Sequence, residues 1–584
     1  MPDRRKPISF DTTLRNPYRI PDFIKIFKQY EGQVLSNELI LQIEAELIKE
    51  KKYEPTRRTL GTYRRTFNGR HVRNFVAEDQ SEGAEQRVIS LFEEWENNDA
   101  GYMELSDIVY LLKNTVTDHD HHGLKGWRSR LWTQCSFLNE LGLVYMEKER
   151  VIRVSEVGNY MLTNYDEDAD NSSYIESAFL SSFAKYQTNN PFRSNTISVN
   201  FVPLVLNVIK YLKDHYNRPG IFYQDLTFVI AWDNNNYAQL AEYIQAFRNE
   251  FHYNNVSNEL VYSYAMNLLD ETTPNDVIAE ATPEFLEAKR NDYKFSKLTR
   301  ETRDEVIRKL RMTRLVAFRG AGRFLDFNSL EMDKINHIMG NLSNNIPEFL
   351  NDDEYFNYMG ALDQSLLFAD EEESEEELSA KERAIQNFAT NKSWEYLRTQ
   401  IACLVNGSES RDEMLRFIGA PVRLEFLSAV ILKKALPGLQ VKANYLADDE
   451  GIPYRTAGGQ HGESVGADID VYENDVHAIV EPTVAPSRSF QVEHEVPSIT
   501  NHVFGSKRKD VDENAGFNEW FAIFIAPRLV RDVADQVAAK RLINHVEIYP
   551  WNADDFLEFS ASNTEINSIK DYKIIRDYMQ PQIL

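Results

Sequence analysis

Two carboxylates, Asp468 and Glu481, flank a stretch whose composition predicts two consecutive β-strands. Residues 468–472 and 476–483 are rich in β-branched residues, and residues 473–475 between them have the composition of a turn. In the resulting hairpin, Asp468 lies near the start of one strand and Glu481 near the end of the next, so their carboxylates converge. Converging carboxylates suit a hard divalent cation, and Mg²⁺ would keep waters that a phosphate substrate can replace.

The same two carboxylates also have a simpler interpretation, because acidic residues at strand ends are commonly solvated. Glu481, however, follows the largely apolar run 476–480, which is typical of a buried strand. A buried carboxylate needs a partner to offset its lost hydration, and a metal ion would be such a partner.

This stretch resembles the cleavage domain of the AlwI/BstNBI-type type IIS restriction and nicking endonucleases, which belong to the wider PD-(D/E)xK nuclease group. The resemblance rests on the acidic strand from Asp468, the hydrophobic strand that ends in Glu481, and the segments Phe490-Gln-Val-Glu-His-Glu495 and Asn501-His502. The opening residues 8–21 also resemble the start of AlwI-type proteins. The resemblance implies Mg²⁺-dependent cleavage of DNA a few bases outside a short asymmetric site.

The resemblance also implies roles for particular residues. Asp468 and Glu481 are the predicted metal ligands. The predicted catalytic residues are these two carboxylates, Glu493 behind them, Glu425 from a preceding helix, and His502.

One position departs from the pattern of the wider nuclease group. Thr483 stands two residues after Glu481, where that group has a lysine. The AlwI/BstNBI branch resembles this chain in lacking the lysine. His502 and the basic segment 507–509 are therefore alternative candidates for activating the attacking water.

Composition bounds the class of protein. The chain has 584 residues, 42% of them hydrophobic, which is enough for several cores, and we find no apolar run of membrane-spanning length and no signal peptide. The two cysteines, Cys135 and Cys403, exclude a disulfide framework and a cysteine zinc site. We therefore expect a cytoplasmic protein with no membrane partner, and the resemblance implies a bacterial one. His119-Asp-His-His122 could bind a metal, but a polar loop explains it as well.

The net charge of −26 argues superficially against DNA binding, which depends largely on Lys and Arg. The charge is unevenly distributed, because basic residues outnumber acidic ones in residues 1–75 and the reverse holds in residues 351–383. The basic end could face DNA. The acidic run 370–377 fits either a solvated linker or an electrostatic mimic of DNA that gates the nuclease.

Two segments, 124–154 and 300–327, have the order helix then hairpin that winged-helix modules show, although such modules also bind other proteins. Basic residues beside aromatic residues suit contacts with phosphates and base edges, although an ordinary basic surface would look the same. The candidate DNA-binding residues are Arg57, Arg58, Arg64, Arg65, Arg70, Arg73, Lys125, Arg128, Arg130, Gln134, Arg319 and Arg323.

We predict a multi-domain α+β protein. Residues 1–165 would form an N-terminal DNA-recognition domain with a winged-helix module, and residues 166–340 a second recognition domain of the same kind. Residues 341–390 would form an acidic helical linker, and residues 391–584 a mixed α/β nuclease domain of PD-(D/E)xK type.

These observations favour a sequence-specific, Mg²⁺-dependent type IIS restriction endonuclease that acts on double-stranded DNA. One site of this kind cuts one strand, so the monomer could act as a nickase. Double-strand cleavage would need a second copy or a small partner subunit. The alternatives are a non-catalytic winged-helix DNA-binding regulator, in which the acidic cluster only closes the fold, and a DNA-repair nuclease.

Overall fold

The computed structural model describes most of the chain. The described residues are 6–10, 17–53, 78–115, 131–132, 135–165, 172–193, 195, 197–253, 256–270, 294–320, 322–343, 347–368, 375–456, 466–485, 487–563 and 565–571. They form a mixed α+β protein, which confirms the predicted class. No helix in these ranges is both long and apolar enough to cross a bilayer.

Among the described residues up to 360, most lie in helices. The helices are α1 (Ile20–Gln29), α2 (Asn37–Lys49), α3 (Ala84–Asn97), α4 (Leu105–Asn114), α5 (Glu156–Met161), α6 (Ser172–Phe183), α7 (Phe201–Tyr216), α8 (Leu226–Ala231), α9 (Tyr237–Phe251), α10 (Asn258–Asp270), α11 (Thr302–Met312), α12 (Met332–Asn341) and α13 (Asp352–Gly360). Residues 135–140 are also helical.

The strands in this half are short. They are β1 (Val144–Tyr145), β2 (Arg153–Val154), β3 (Ile221–Phe222), β4 (Val316–Arg319) and β5 (Phe324–Phe327). β1 pairs with β2, and β5 lies between β3 and β4, all antiparallel. Both predicted hairpins are therefore present. The tip of the second one contains Gly320 and Gly322 at positive φ, which glycine adopts without steric cost.

The C-terminal half contains α14 (Glu375–Asn391), α15 (Trp394–Val405), α16 (Ala420–Ala435), α17 (Val496–Asp512), α18 (Asp532–Asn544) and α19 (Ala553–Ser562). Its strands are β6 (Gln440–Ala443), β7 (Leu446–Ala447), β8 (Pro453–Arg455), β9 (Ile469–Glu473), β10 (Val476–Pro482), β11 (Glu519–Ala526) and β12 (Ile548–Asn552). π-helical segments, Lys297–Glu301 and Phe490–Glu495, precede α11 and α17.

Five strands form one mixed sheet in the order β12-β11-β10-β9-β6. β10, β11 and β12 are parallel, and β9 pairs antiparallel with both β10 and β6. Alternate residues of β10 enter two different cores: Ala478 and Val480 join the large core with α16, and Ile479 joins a smaller core with α17 and α18. The sheet thus lies between helices on both faces, as the predicted nuclease domain requires.

The segment predicted as a linker folds against its neighbours at both ends. In α13, Tyr355 is buried, and its hydroxyl donates to the Glu140 carbonyl at 2.8 Å. In α14, Lys381 donates to the Tyr445 carbonyl at 3.0 Å. The acidic residues 369–374 between these helices lie outside the described residues, and the domain boundaries remain predictions.

Candidate active site

The β9–β10 hairpin brings Asp468 and Glu481 together. Val480 pairs with Ile469 in this register, so the next residues, Glu481 and Asp468, face each other at the end of the ladder. Asn474, in the turn, has a positive φ of 53°, a conformation that Asn tolerates better than most residues. Glu481 is 5% exposed and accepts a backbone hydrogen bond from Asp468. The predicted convergence of these two carboxylates is therefore present in the fold.

Glu425 reaches the same point from α16. Its side chain is 2% exposed, and one of its carboxylate oxygens, Oε2, is buried without a hydrogen-bond partner among the described residues. Burial raises the pKa of Glu425 well above its ordinary value, and the charges of Asp468 and Glu481 raise it further. A buried acceptor with no donor is costly, so this oxygen indicates that a proton or a cation completes the site.

A further carboxylate, Glu495, completes the cluster. Its charge helps to raise the pKa of both Asp468 and Glu481, after the larger effect of their desolvation. Desolvation also raises the pKa of Glu495 itself, although a hydrogen bond with Thr483 opposes this shift. The threonine that stands in place of the expected lysine thus contacts this carboxylate.

The sequence pattern predicts Glu493 for this place, whereas Glu493 is exposed and Glu495 is the residue that reaches the cluster. Both lie in the π-helical segment, whose wider turn alters which side chains face inward. The apolar neighbours of Glu495 could have predicted its inward orientation from the sequence. Glu495 lies three residues after Val492 and adjacent to Val496, and both valines are buried.

His502, on α17, borders the cluster as predicted. Its Nδ1 lies 2.7 Å from Oε1 of Glu481, and the side chain is 9% exposed. Burial lowers the pKa of His502, against the opposing charges of Glu495 and Asp470. The imidazole is therefore neutral near pH 7 and can accept a proton. The basic residues 507–509 are exposed on the same helix, and Lys507 lies over the ring of Trp520 at 5.1 Å.

A second histidine, His477, links the sheet to α17 through hydrogen bonds. Its Nδ1 lies 2.6 Å from Asp510 of α17, and its Nε2 lies 2.8 Å from Asp470 of β9. Trp520 donates to the same Asp510 oxygen at 2.7 Å. The hydrogen bonds of His477 with the two aspartates raise its pKa against the effect of burial, so its charged form is favoured. Sequence reasoning missed this arrangement, which fixes the helix that carries His502.

The donor set of the cluster suits magnesium. Like charges and desolvation raise the pKa of Glu425, Asp468, Glu481 and Glu495, and a bound cation would favour their charged forms. The described ranges contain no group of three or more His, Cys, Asp or Glu side chains already arranged around a metal position. Mg²⁺ commonly takes only one or two carboxylates and keeps several waters, so Asp468 and Glu481 suffice as protein ligands.

Residues 139–397 match the sequence model of the AlwI restriction endonuclease family. This match confirms the resemblance to that family, whose members are DNA nucleases. It covers residues 166–340, which are predicted to form a second recognition domain, and it ends before α16, so the carboxylate cluster lies outside it. The roles of the cluster residues therefore rest on their geometry.

Among the solved structures similar to the chain are those of restriction endonucleases. The structure of FokI without DNA is 10% identical to this chain, and the match covers 97% of this chain and 99% of FokI, with a TM-score of 0.24. The structure of FokI bound to DNA is also 10% identical to this chain, and the match covers 98% of this chain and 99% of FokI, with a TM-score of 0.22. The small subunit of the heterodimeric restriction endonuclease R.BspD6I is 16% identical to this chain, and the match covers 34% of this chain and 90% of that subunit, with a TM-score of 0.23. Scores this low do not establish a shared fold. No curated protein sequence matches the chain.

Two of the predicted DNA contacts lie on the hairpin inside the AlwI-family match. Arg319 is paired within the chain, and its Nη2 lies 2.7 Å from Oδ2 of Asp449. Arg323 is exposed beside the hairpin tip, where its Nε donates to the Gly320 carbonyl at 3.1 Å. DNA contact by either arginine stays a prediction, and Arg323 is the one with a solvent-facing side chain.

The other predicted DNA contacts lie outside the described residues. They are Arg57, Arg58, Arg64, Arg65, Arg70, Arg73, Lys125, Arg128, Arg130 and Gln134. The same holds for the histidines of residues 119–122.

Proposed function

We propose that this protein is a type IIS restriction endonuclease, with DNA recognition in residues 1–340 and cleavage in the domain that carries the carboxylate cluster. The observation that carries the cleavage half of the proposal is the carboxylate cluster of Glu425, Asp468, Glu481 and Glu495, in which Glu425 and Glu481 are buried and Glu425 Oε2 has no donor among the described residues. A purely structural cluster would pair or solvate these oxygens.

Asp468 and Glu481 would hold Mg²⁺. The bound ion would polarise the scissile phosphate and lower the pKa of an attacking water. Glu425, on α16, would help to neutralise the charge of the bound ion. His502 Nδ1, which lies 2.7 Å from Glu481, would keep that carboxylate in place.

We propose two candidate acceptors for the proton of the attacking water. His502 carries a neutral imidazole beside Glu481, and Glu495 lies close to both proposed metal ligands. Thr483 stands where the wider PD-(D/E)xK group has a lysine, so this chain would use one of these two groups instead.

The direct experiment is incubation of the purified chain with supercoiled plasmid in Mg²⁺ or in EDTA. We expect Mg²⁺-dependent nicking, with breaks at a fixed offset from one short sequence when the cut ends are sequenced. A DNA-binding regulator would leave the plasmid intact in both conditions, and a repair nuclease would cut without a fixed offset.

Enzyme concentration would then show how the second strand is cut. One carboxylate cluster handles one scissile phosphate at a time, so nicked circles should precede linear DNA. If two copies meet, linear product should rise more steeply than enzyme concentration, whereas a missing small subunit would leave nicked circles at every concentration. Direct conversion to linear DNA without a nicked intermediate would contradict a single site.

A further inference from the structure

A second feature of the C-terminal half is a cavity of about 540 Å³ beside the sheet. α11 forms one wall through Arg308. The end of α15 and the start of α16 form the others, together with the segments that follow β10 and β11. Its volume lies in the range of pockets that bind small molecules or parts of larger ones.

The cavity is strongly basic in an otherwise acidic chain. Arg308, Arg416, Arg423 and Arg528 line it, against one lining carboxylate, Glu409. Glu409 is 70% exposed and lies 3.8 Å from Arg308, so it offsets little of this charge. Asp304 lies 3.5 Å from Arg416 and balances one more arginine.

Arg423 is the most deeply buried of these arginines. Its side chain is 5% exposed, and its Nε is buried without a hydrogen-bond partner among the described residues. Its Nη1 donates only a long bond of 3.3 Å to the Leu415 carbonyl. Burial lowers the pKa of Arg423, and the positive charge of Arg308 acts in the same direction. A buried guanidinium with an unmet donor indicates that an anion belongs beside it.

The beginning of α16 supports the same ligand. The helix begins at Ala420 without a side-chain cap, and both Gly419 and Ala420 line the cavity. Pro421, in the first turn, has no N–H, so the helix dipole and the N–H groups of Ala420 and Val422 would favour a phosphate at that end.

The cavity lies close to the candidate active site. Val484 and Ala485, which line it, follow Glu481 by three and four residues, and Arg423 precedes Glu425 on α16 by two. Residues two apart on a helix project in different directions, so α16 can serve the cavity and the cluster separately. Three extended residues span at most roughly 10 Å. One DNA strand rises about 3.4 Å along the helix axis per nucleotide, so this reach corresponds to about three nucleotides of axial rise.

We propose that this cavity is a phosphate-binding subsite, and that it holds a backbone phosphate of the DNA strand a few nucleotides from the bond that is cut. The assignment to DNA rests on the proposed nuclease function, whereas the preference for a phosphate group rests on the arginines alone. Arg423 and the first turn of α16 would bind the phosphate oxygens. Arg308 and Arg528, at the rim of the cavity, would also bind the phosphate oxygens.

The test measures binding by the full chain in EDTA, so that no cutting occurs. The probes are inorganic pyrophosphate and a short DNA duplex, titrated separately and in competition. The variants Arg308→Gln and Arg528→Gln remove rim charges without disturbing a buried side chain, and Arg423→Lys keeps the buried charge but changes its geometry. Arg541→Gln is the matched control, because it removes one exposed arginine of α18 that does not line the cavity.

We expect each rim variant to bind pyrophosphate on the order of tenfold more weakly than the unmodified chain, because it lacks one charged hydrogen bond. We also expect pyrophosphate to compete with the duplex. The log–log plot of duplex affinity against salt concentration should become shallower, by about one unit of slope for each phosphate that a variant no longer binds. The Arg541→Gln control should match the unmodified chain in all three measurements.

Two results would overturn the proposal. Pyrophosphate binding that is absent, or equal in the rim variants and the control, would show that the cavity holds no phosphate. Binding through these arginines without competition from the duplex would assign the cavity to a free phosphate compound rather than to DNA. Plasmid nicking in Mg²⁺ is scored separately. A chain that binds pyrophosphate through the arginines but never nicks would retain the phosphate pocket and contradict the nuclease.

Discussion

Arg311 of α11 and Asp448 of the C-terminal half form an ion pair in which both side chains are buried, with 4% and 0% of their surface exposed. The guanidinium also donates to the carbonyls of Ile452 and Pro453 at 3.2 and 3.1 Å. The segment around β7 and β8 is thereby fixed to α11. The parts of the chain proposed to recognise and to cleave DNA are therefore in direct contact.

The first prediction follows from that pair. Asp448→Asn should lower the free energy of unfolding by about 3–5 kcal/mol, because it leaves a buried guanidinium without its counter-charge. The double variant Arg311→Met, Asp448→Leu should recover most of this loss, since it removes both buried charges. Urea unfolding measures both. Equal destabilisation by the single and double variants would show that packing, not charge, holds the halves together.

The second prediction concerns the two proposed metal ligands. Asp468→Asn and Glu481→Gln should each reduce plasmid cleavage by at least about 10²-fold, because each removes charge that stabilises the transition state. Duplex binding in EDTA should remain, since the proposed recognition modules are elsewhere in the chain. Asp475→Asn, an exposed change in the turn of the same hairpin, is the control. Strong Mg²⁺-dependent cutting by either variant would remove that residue from the active site.

The third prediction separates two glutamates of one segment. Glu495→Gln should impair cleavage, because Glu495 lies within electrostatic reach of Asp468 and Glu481, whereas Glu493→Gln should cut normally because Glu493 is exposed. The readout is the initial nicking rate of each variant at saturating Mg²⁺. The reverse result would restore Glu493 to the site that the sequence pattern predicts for it.

The fourth prediction concerns pH and charge in the metal-free protein. Because the folded state raises the pKa of Glu425, it binds more protons than the unfolded chain, and stability falls as pH rises from about 4.5 towards the higher folded pKa. Glu425→Gln should flatten this fall and raise the melting temperature in EDTA at pH 7. Mg²⁺ should stabilise the unmodified chain by about 2.7 kcal/mol at 100 times its Kd. An unchanged melting profile in Glu425→Gln would contradict the raised pKa.

The fifth prediction uses Lys381 of α14. Burial lowers its pKa to about 7, from 10.5, although its ammonium donates to the Tyr445 carbonyl. The unfolded chain therefore binds more protons between these values, and stability should rise as pH increases from about 7 to 10.5. Lys381→Met should reduce this rise in melting scans across that window. Arg383→Gln, an exposed change on the same helix, should leave the rise intact.

The amino-acid sequence by itself determined the local elements of the candidate site. β-Branched runs around a turn predicted the β9–β10 hairpin, and with it the convergence of Asp468 and Glu481. The family resemblance implied a helix for Glu425, and α16 carries it. These features depend on neighbours a few residues apart, so the backbone preferences and side-chain alternation of a single segment are sufficient to specify them.

Only the tertiary structure decided which distant groups meet. The π-helical turn before α17 selects Glu495 over Glu493, and the packing of that helix on the sheet creates the contacts of His477. The sequence predicts Arg319 as a DNA contact, and in the structure Arg319 pairs with Asp449, 130 positions away. The basic cavity likewise collects arginines from 308 to 528. Long-range pairing of charges depends on how separate elements pack and exclude water, and no single segment carries that information.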